Sequence, residues 1–133
     1  MDKIALVLKY LNLYAHQAHN LIKGSTFFQD HEFLGELYAA YDVEYDQVVE
    51  RSIGLKKPVN IKKVNGLAAQ QLPDDKTLVM PKCFEDMLAS EIYLCKIIEQ
   101  IAPQSSQGTM NMLAQIADNS EVRQYKIQQR LSK

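Results

Sequence analysis

Ile4, Val7, Leu8, Leu11, Ala15, Ala18 and Ile22 recur at steps of three and four, the spacing that lays one apolar stripe along a helix. The pattern predicts a first helix from about Asp2 to Lys23, interrupted by Gly24 and Ser25. So short a connection returns the chain antiparallel beside the first helix. A second stripe, Leu34, Leu37, Tyr38, Tyr41, Tyr45 and Val48, predicts a long second helix over roughly Phe28 to Ile53. Three of the four prolines fall between Gly54 and Pro81, which reads as a crossover carrying one short helix around Ile61 to Gln71. Phe84, Met87, Leu88, Ile92, Cys95, Ile98 and Ala102 mark a third long helix, stopped by Pro103. A fourth starts near Ser106 or Gly108 with Met112, Leu113, Ile116 and Ala117 on its apolar side. It is expected to run on unbroken through a more polar half, Asp118 to Lys133. No alternating strand pattern, internal repeat or low-complexity tract interrupts this series, so the fold class is all-α.

The chain has 133 residues and 47% apolar content, enough for one compact domain spanning 1–133. Fifteen basic residues against sixteen acidic ones leave a net charge of −1, so no overall field draws the chain to a polyanion. Nucleic acid is therefore not the default partner. Lys3 and Lys9 break up the apolar start without a secretory cleavage pattern, and no apolar stretch is long enough for a bilayer. Cys83 and Cys95 stand twelve residues apart on one predicted helix, about 18 Å along its axis, and cannot pair within a chain. Unpaired cysteines suit a reducing cytoplasm, where both read most simply as small apolar side chains.

Candidate chemistry begins with His16, His19 and His31, followed on the second helix by Asp46 and Glu50. The two carboxylates are spaced i, i+4, on one helix face, and with imidazole they suit a cation such as Fe(II). Taken alone they read equally as a solvated acidic patch paired with Arg51 or a lysine. His19 precedes Gly24 by five residues and His31 follows it by seven, so an antiparallel hairpin sets the two histidines side by side. His31 and Asp46, however, are fifteen residues apart on one helix, about 22 Å. If all four residues hold one centre, the histidines come from one subunit and the carboxylates from another, most simply across a two-fold axis. The alternative is a di-iron centre in the bundle's own core, built on Glu-x-x-His pairs. No histidine here has a glutamate three residues before it, which disfavours that centre.

His19, Asn20, Lys23, Gly24, Phe27 or Phe28, His31, Glu32, Phe33, Asp46, Glu50 and Arg51 together resemble the Dps family of mini-ferritins, whose ligands follow H-x(11)-H-x(14)-D-x(3)-E. The resemblance covers the first two helices; the later ones agree in length and periodicity. It implies a ferritin-like four-helix bundle and a ferroxidase that oxidises Fe(II) with peroxide or dioxygen. It further implies a hollow homododecamer, built from two-fold dimers that share the metal site and store ferric mineral. Carried over, His31, Asp46 and Glu50 hold iron, Glu50 bridges toward a second ion, and His19 completes or supports that second position. Zinc is a possible substitute at such a site. The family usually has tryptophan after the first ligand histidine; this chain has Asn20 there and no tryptophan.

Tyr38, Tyr41 and Tyr45 lie close enough in sequence to serve as oxidisable groups instead, but at helical spacing they read as core residues and stay outside the expected site. His16, one turn before His19, could open a zinc site with it, yet without a matched third ligand it reads as a polar helix residue, near enough to the expected site to support the ligands from beside them. Arg123, Lys126, Arg130 and Lys133 form a basic stripe at helical spacing, which reads as a solvated helix end complementing its dipole. With no lysine-rich arm, DNA binding is expected to be weak or absent. The competing class of function is a helical shell or dimer that acts as a structural or interaction module without ferroxidase activity.

Overall fold

A computed structural model describes residues 1–133 as an all-helical chain without strands. Its helices are α1 (Asp2–Leu21), α2 (Phe27–Gly54), α3 (Ile61–Gln70), α4 (Lys82–Ile101) and α5 (Gln107–Leu131), with 3-10 turns at Asp75–Thr77 and Ala102–Gln104. α1 is the central element, packed on α2, α3 and α4, while α5 lies mainly on α4 and touches α2 sparsely. The first stripe explains this position. Ile4, Leu8, Leu11, Ala15 and Ala18 are fully buried, and the alanines let neighbouring helices approach. Each large side chain so buried contributes about 1.5–3 kcal/mol.

α1 ends at Leu21, two residues before the predicted boundary. Ile22 turns extended to insert into the core, and Gly24 takes a left-handed φ of +102° that suits glycine. The crossover is long, as expected. Its helix α3 is capped by Asn60, whose side chain accepts from Lys63 N at 3.1 Å. Ser106 caps α5 in the same way, accepting from Thr109 N at 3.3 Å. No helix is long and apolar enough to cross a membrane. Cys83 is buried and Cys95 half-buried, both unpaired.

The polar half of α5 is continuous, and the reason corrects its reading as a solvated basic end. Arg123 points into the core and donates to Glu44 of α2 at 2.7 and 2.9 Å, and to both oxygens of Glu91 on α4. Tyr41 and Ser120 also donate to Glu91, at 2.7 and 2.8 Å, and Asn119 donates to Glu44 at 3.1 Å. Every member is a helix residue on a buried face, so three helices meet at one ionic knot. Burial opposes the Arg123 charge, but its bonds to the two glutamates outweigh this and raise its pKa above the ordinary arginine value. Burial, reinforced by Glu91, likewise holds Tyr41 well above the usual phenol range, so it remains a donor. Nearer the C-terminus Arg130 forks onto Asp30, with both bonds at 2.8 Å. Two of the four cations of the basic stripe are therefore bound to carboxylates.

Candidate metal centre

His19 sits in the last turn of α1, where backbone carbonyls lack helical partners. One of these free carbonyls, that of His19 itself, accepts from His31 Nδ1 at 3.0 Å. Reciprocally, His19 Nδ1 lies 2.7 Å from the carbonyl oxygen of His31 on α2. A carbonyl can only accept, so both Nδ1 atoms carry a proton, and in the neutral imidazole the lone pair then lies on Nε2 of each ring. This is the arrangement that prepares imidazole for a metal: backbone fixes the tautomer and the ring angle, and the far nitrogen is left to bind.

The rings stack with centroids 3.7 Å apart and planes 19° from parallel. A lone pair lies in its ring plane, and two stacked planes share no point close to both nitrogens. The pair can therefore hold two ions, one per ring, rather than one ion between them. Gly35, one turn beyond His31, makes the approach possible: a Cβ there would stand 3.3 Å from His19 Cε1 and 3.5 Å from Nδ1. Phe27 stacks on His31 at 4.8 Å, and Tyr38 meets the His19 ring edge-on at 5.2 Å. Tyr38 in turn stacks on exposed His16 at 4.1 Å, with the His16 and His19 centroids 6.1 Å apart. His16, expected beside the ligands, and Tyr38, expected in the core, both join the continuous row of rings around the pair. Tyr41 and Tyr45 are core residues, as expected.

Asp46 and Glu50 lie far along α2, exposed and on one face. Neither forms an ion pair. Arg51, offered from sequence as a partner, instead donates to Thr109 Oγ1 of α5 at 3.2 Å. Glu50 edges a shallow cavity with Gln47, Arg51, Gly54 and Met112. Within one chain no three His, Cys, Asp or Glu side chains converge as a metal site. The histidine pair and the carboxylate pair therefore lie apart, toward opposite ends of α2.

Between these ends runs a surface stripe. Phe28, Glu32, Ala39, Val43, Asp46, Glu50 and Ile53 are exposed and follow one another at steps of three, four or seven. Phe28 is 81% exposed, Val43 58% and Ile53 51%, large apolar groups that no other part of the chain covers. The knot of Glu44, Glu91 and Arg123 escaped the sequence reading. Its signal was there: Glu44 falls between Tyr41 and Val48 on a buried stripe, and Glu91 between Met87 and Leu94. No known protein-family model matches the chain, and no curated protein is significantly similar to it.

Proposed function

We propose that the chain is a ferritin-like mini-ferritin subunit of the Dps type, which oxidises Fe(II) at a centre shared by two copies and stores the ferric product. The observation that carries this reading is the reciprocal pair of His19 on α1 and His31 on α2, each oriented through Nδ1, together with an Asp46–Glu50 pair farther along α2 that forms no ion pair. An antiparallel α2 from a second copy, crossing at Ala39, sets each histidine end against the other copy's carboxylate end. That register follows from position alone, because Ala39 lies midway between Phe28 and Glu50 and next to the midpoint of His31 and Asp46.

In this arrangement His31 takes one ion and His19 the other. Asp46 holds the first from across the interface, and Glu50 reaches both. Carboxylate oxygens favour Fe(III) over Fe(II) and so promote electron loss. Two Fe(II) give up two electrons in all, and one hydrogen peroxide takes both together with two protons, leaving two waters and no hydroxyl radical. The ferric product collects inside a closed shell, which the resemblance makes a dodecamer. Weak or absent DNA binding fits the bound state of Arg123 and Arg130, which leaves Lys126 and Lys133 as the free cations of the stripe.

The test is complementation between two inactive variants. His19→Ala/His31→Ala lacks one half-site and Asp46→Ala/Glu50→Ala the other, so each alone should oxidise Fe(II) no faster than buffer. Co-expressed in equal amounts they should recover about one quarter of wild-type sites, since half the random dimers are mixed and each carries one intact centre. Zero recovery from well-folded mixed oligomers would refute the shared centre. An inert wild-type chain would leave a helical interaction module.

A further inference from the structure

The exposed stripe of α2 carries more than the two ligand carboxylates. Glu32, Asp42, Asp46 and Glu50 are all exposed, and none forms an ion pair. Glu36 is exposed too but borders the groove toward α5, and the two acidic residues that α2 turns inward, Asp30 and Glu44, are each matched by an arginine of α5. Cations beside the stripe are few. Lys9 of α1 lies over the Tyr45 ring at 4.2 Å, Arg51 faces α5, and Lys23 sits in the hairpin at one end. Pairing two α2 helices therefore gathers eight carboxylates into one seam, with Lys9 and Lys23 of each copy at its margins.

The same stripe carries the features of a contact surface. Phe28, Val43 and Ile53 are large and uncovered, while Ala39 at its middle is small enough for close helix approach. Apolar groups thus favour pairing and like charges oppose it. Divalent ions held between the histidines of one copy and the carboxylates of the other carry the sign that the seam lacks. We propose that metal loading and subunit pairing are a single linked event: the α2 seam closes on a second copy when divalent ions enter, and loosens when they leave. The proposal rests on the shared-centre reading and adds the metal as the regulator of assembly.

The linkage has a size. An ion that binds only the paired form tightens pairing by one factor of 1 + [L]/Kd for each site, so two sites at about 100 Kd give roughly 10⁴-fold. Co(II) serves as the probe, since it is stable in air and its visible absorption reports ligation directly. Sedimentation of the full chain, in chelator and then in Co(II), should show the dimer constant falling by at least 100-fold. Mg(II), at the same ionic strength, should leave it nearly unchanged. Glu32→Gln/Asp42→Asn keeps every proposed ligand, so it should pair without metal and still bind Co(II). Pairing that is equal with and without bound Co(II), and indifferent to that double variant, would overturn the linkage while leaving the shared centre standing. Failure of wild type to bind Co(II) at all would overturn both.

Discussion

Replacing Arg123 with methionine keeps much of the side-chain volume and removes one charge from the middle of the molecule. Glu91 is fully buried and Glu44 nearly so, and Arg123 supplies four of the hydrogen bonds that reach their carboxylates. Tyr41, Ser120 and Asn119 remain as neutral donors, too few to balance two interior anions. Breaking a buried ion pair by deleting one partner costs about 3–5 kcal/mol. For a chain of this length that lowers Tm by roughly 10–20 °C. Urea unfolding followed by circular dichroism, repeated at several protein concentrations to separate dissociation from unfolding, gives the number. The companion Glu44→Leu/Glu91→Leu/Arg123→Met removes all the charges at once and should recover most of the loss, because an apolar replacement leaves no orphaned ion. A loss below about 1 kcal/mol for Arg123→Met, the value typical of an exposed pair, would refute the account of the knot as an interior charge balance.

Gly35→Ala should separate stability from metal binding. The methyl improves helix propensity by up to about 1 kcal/mol, yet it presses on the His19 ring, so Co(II) affinity should fall several-fold while Tm holds or rises. Affinity equal to wild type would show that Gly35 does not shape the pair. Asp30 sets an acid limit. Burial would raise its pKa, but the hydrogen bonds from Arg130 and Thr26 outweigh this and hold it below the ordinary aspartate value. The stability it lends is complete above the unfolded pKa of about 3.9 and is lost as pH falls through the lower folded value. Arg130→Gln should cost about 1–3 kcal/mol at neutral pH and flatten the acid-side decline of the unfolding free energy. An unchanged profile between pH 5 and 2, an interval of about one to two units either side of that pKa, would remove Asp30 from the balance.

The apolar periodicity made the helices legible because α1, α2 and α4 each bury a stripe at steps of three and four. Their ends were less legible: Ile22 leaves its helix to fill the core, a tertiary demand that no local pattern announces. The histidine pair was readable from its placement about Gly24, since a hairpin's geometry is nearly fixed by its length. Periodicity marked Glu44 and Glu91 as charges at buried positions, but it could not reveal which cation meets them. Glu44, Glu91 and Arg123 occupy apolar-stripe positions on three separate helices, and that they satisfy one another emerges only when the three helices are packed together. The same holds for Arg130, whose carboxylate partner is one hundred residues away. Tyr38 packs against the core as expected, but its ring also meets histidines of another helix, a contact that its own stripe does not announce.

The two rings of the histidine pair are oriented by each other's main chain. Substituting either histidine leaves the carbonyl that steers its neighbour in place, so the tautomer of the surviving ring is insensitive to the identity of the lost one. What this device does depend on is spacing: one residue added to or removed from the short turn between Ile22 and Phe27 would slide one carbonyl past its nitrogen and disorder both rings together. The pair is therefore robust to changes of letter and fragile to changes of length, and drift in such a chain would be expected to tolerate substitution in that turn far better than insertion or deletion.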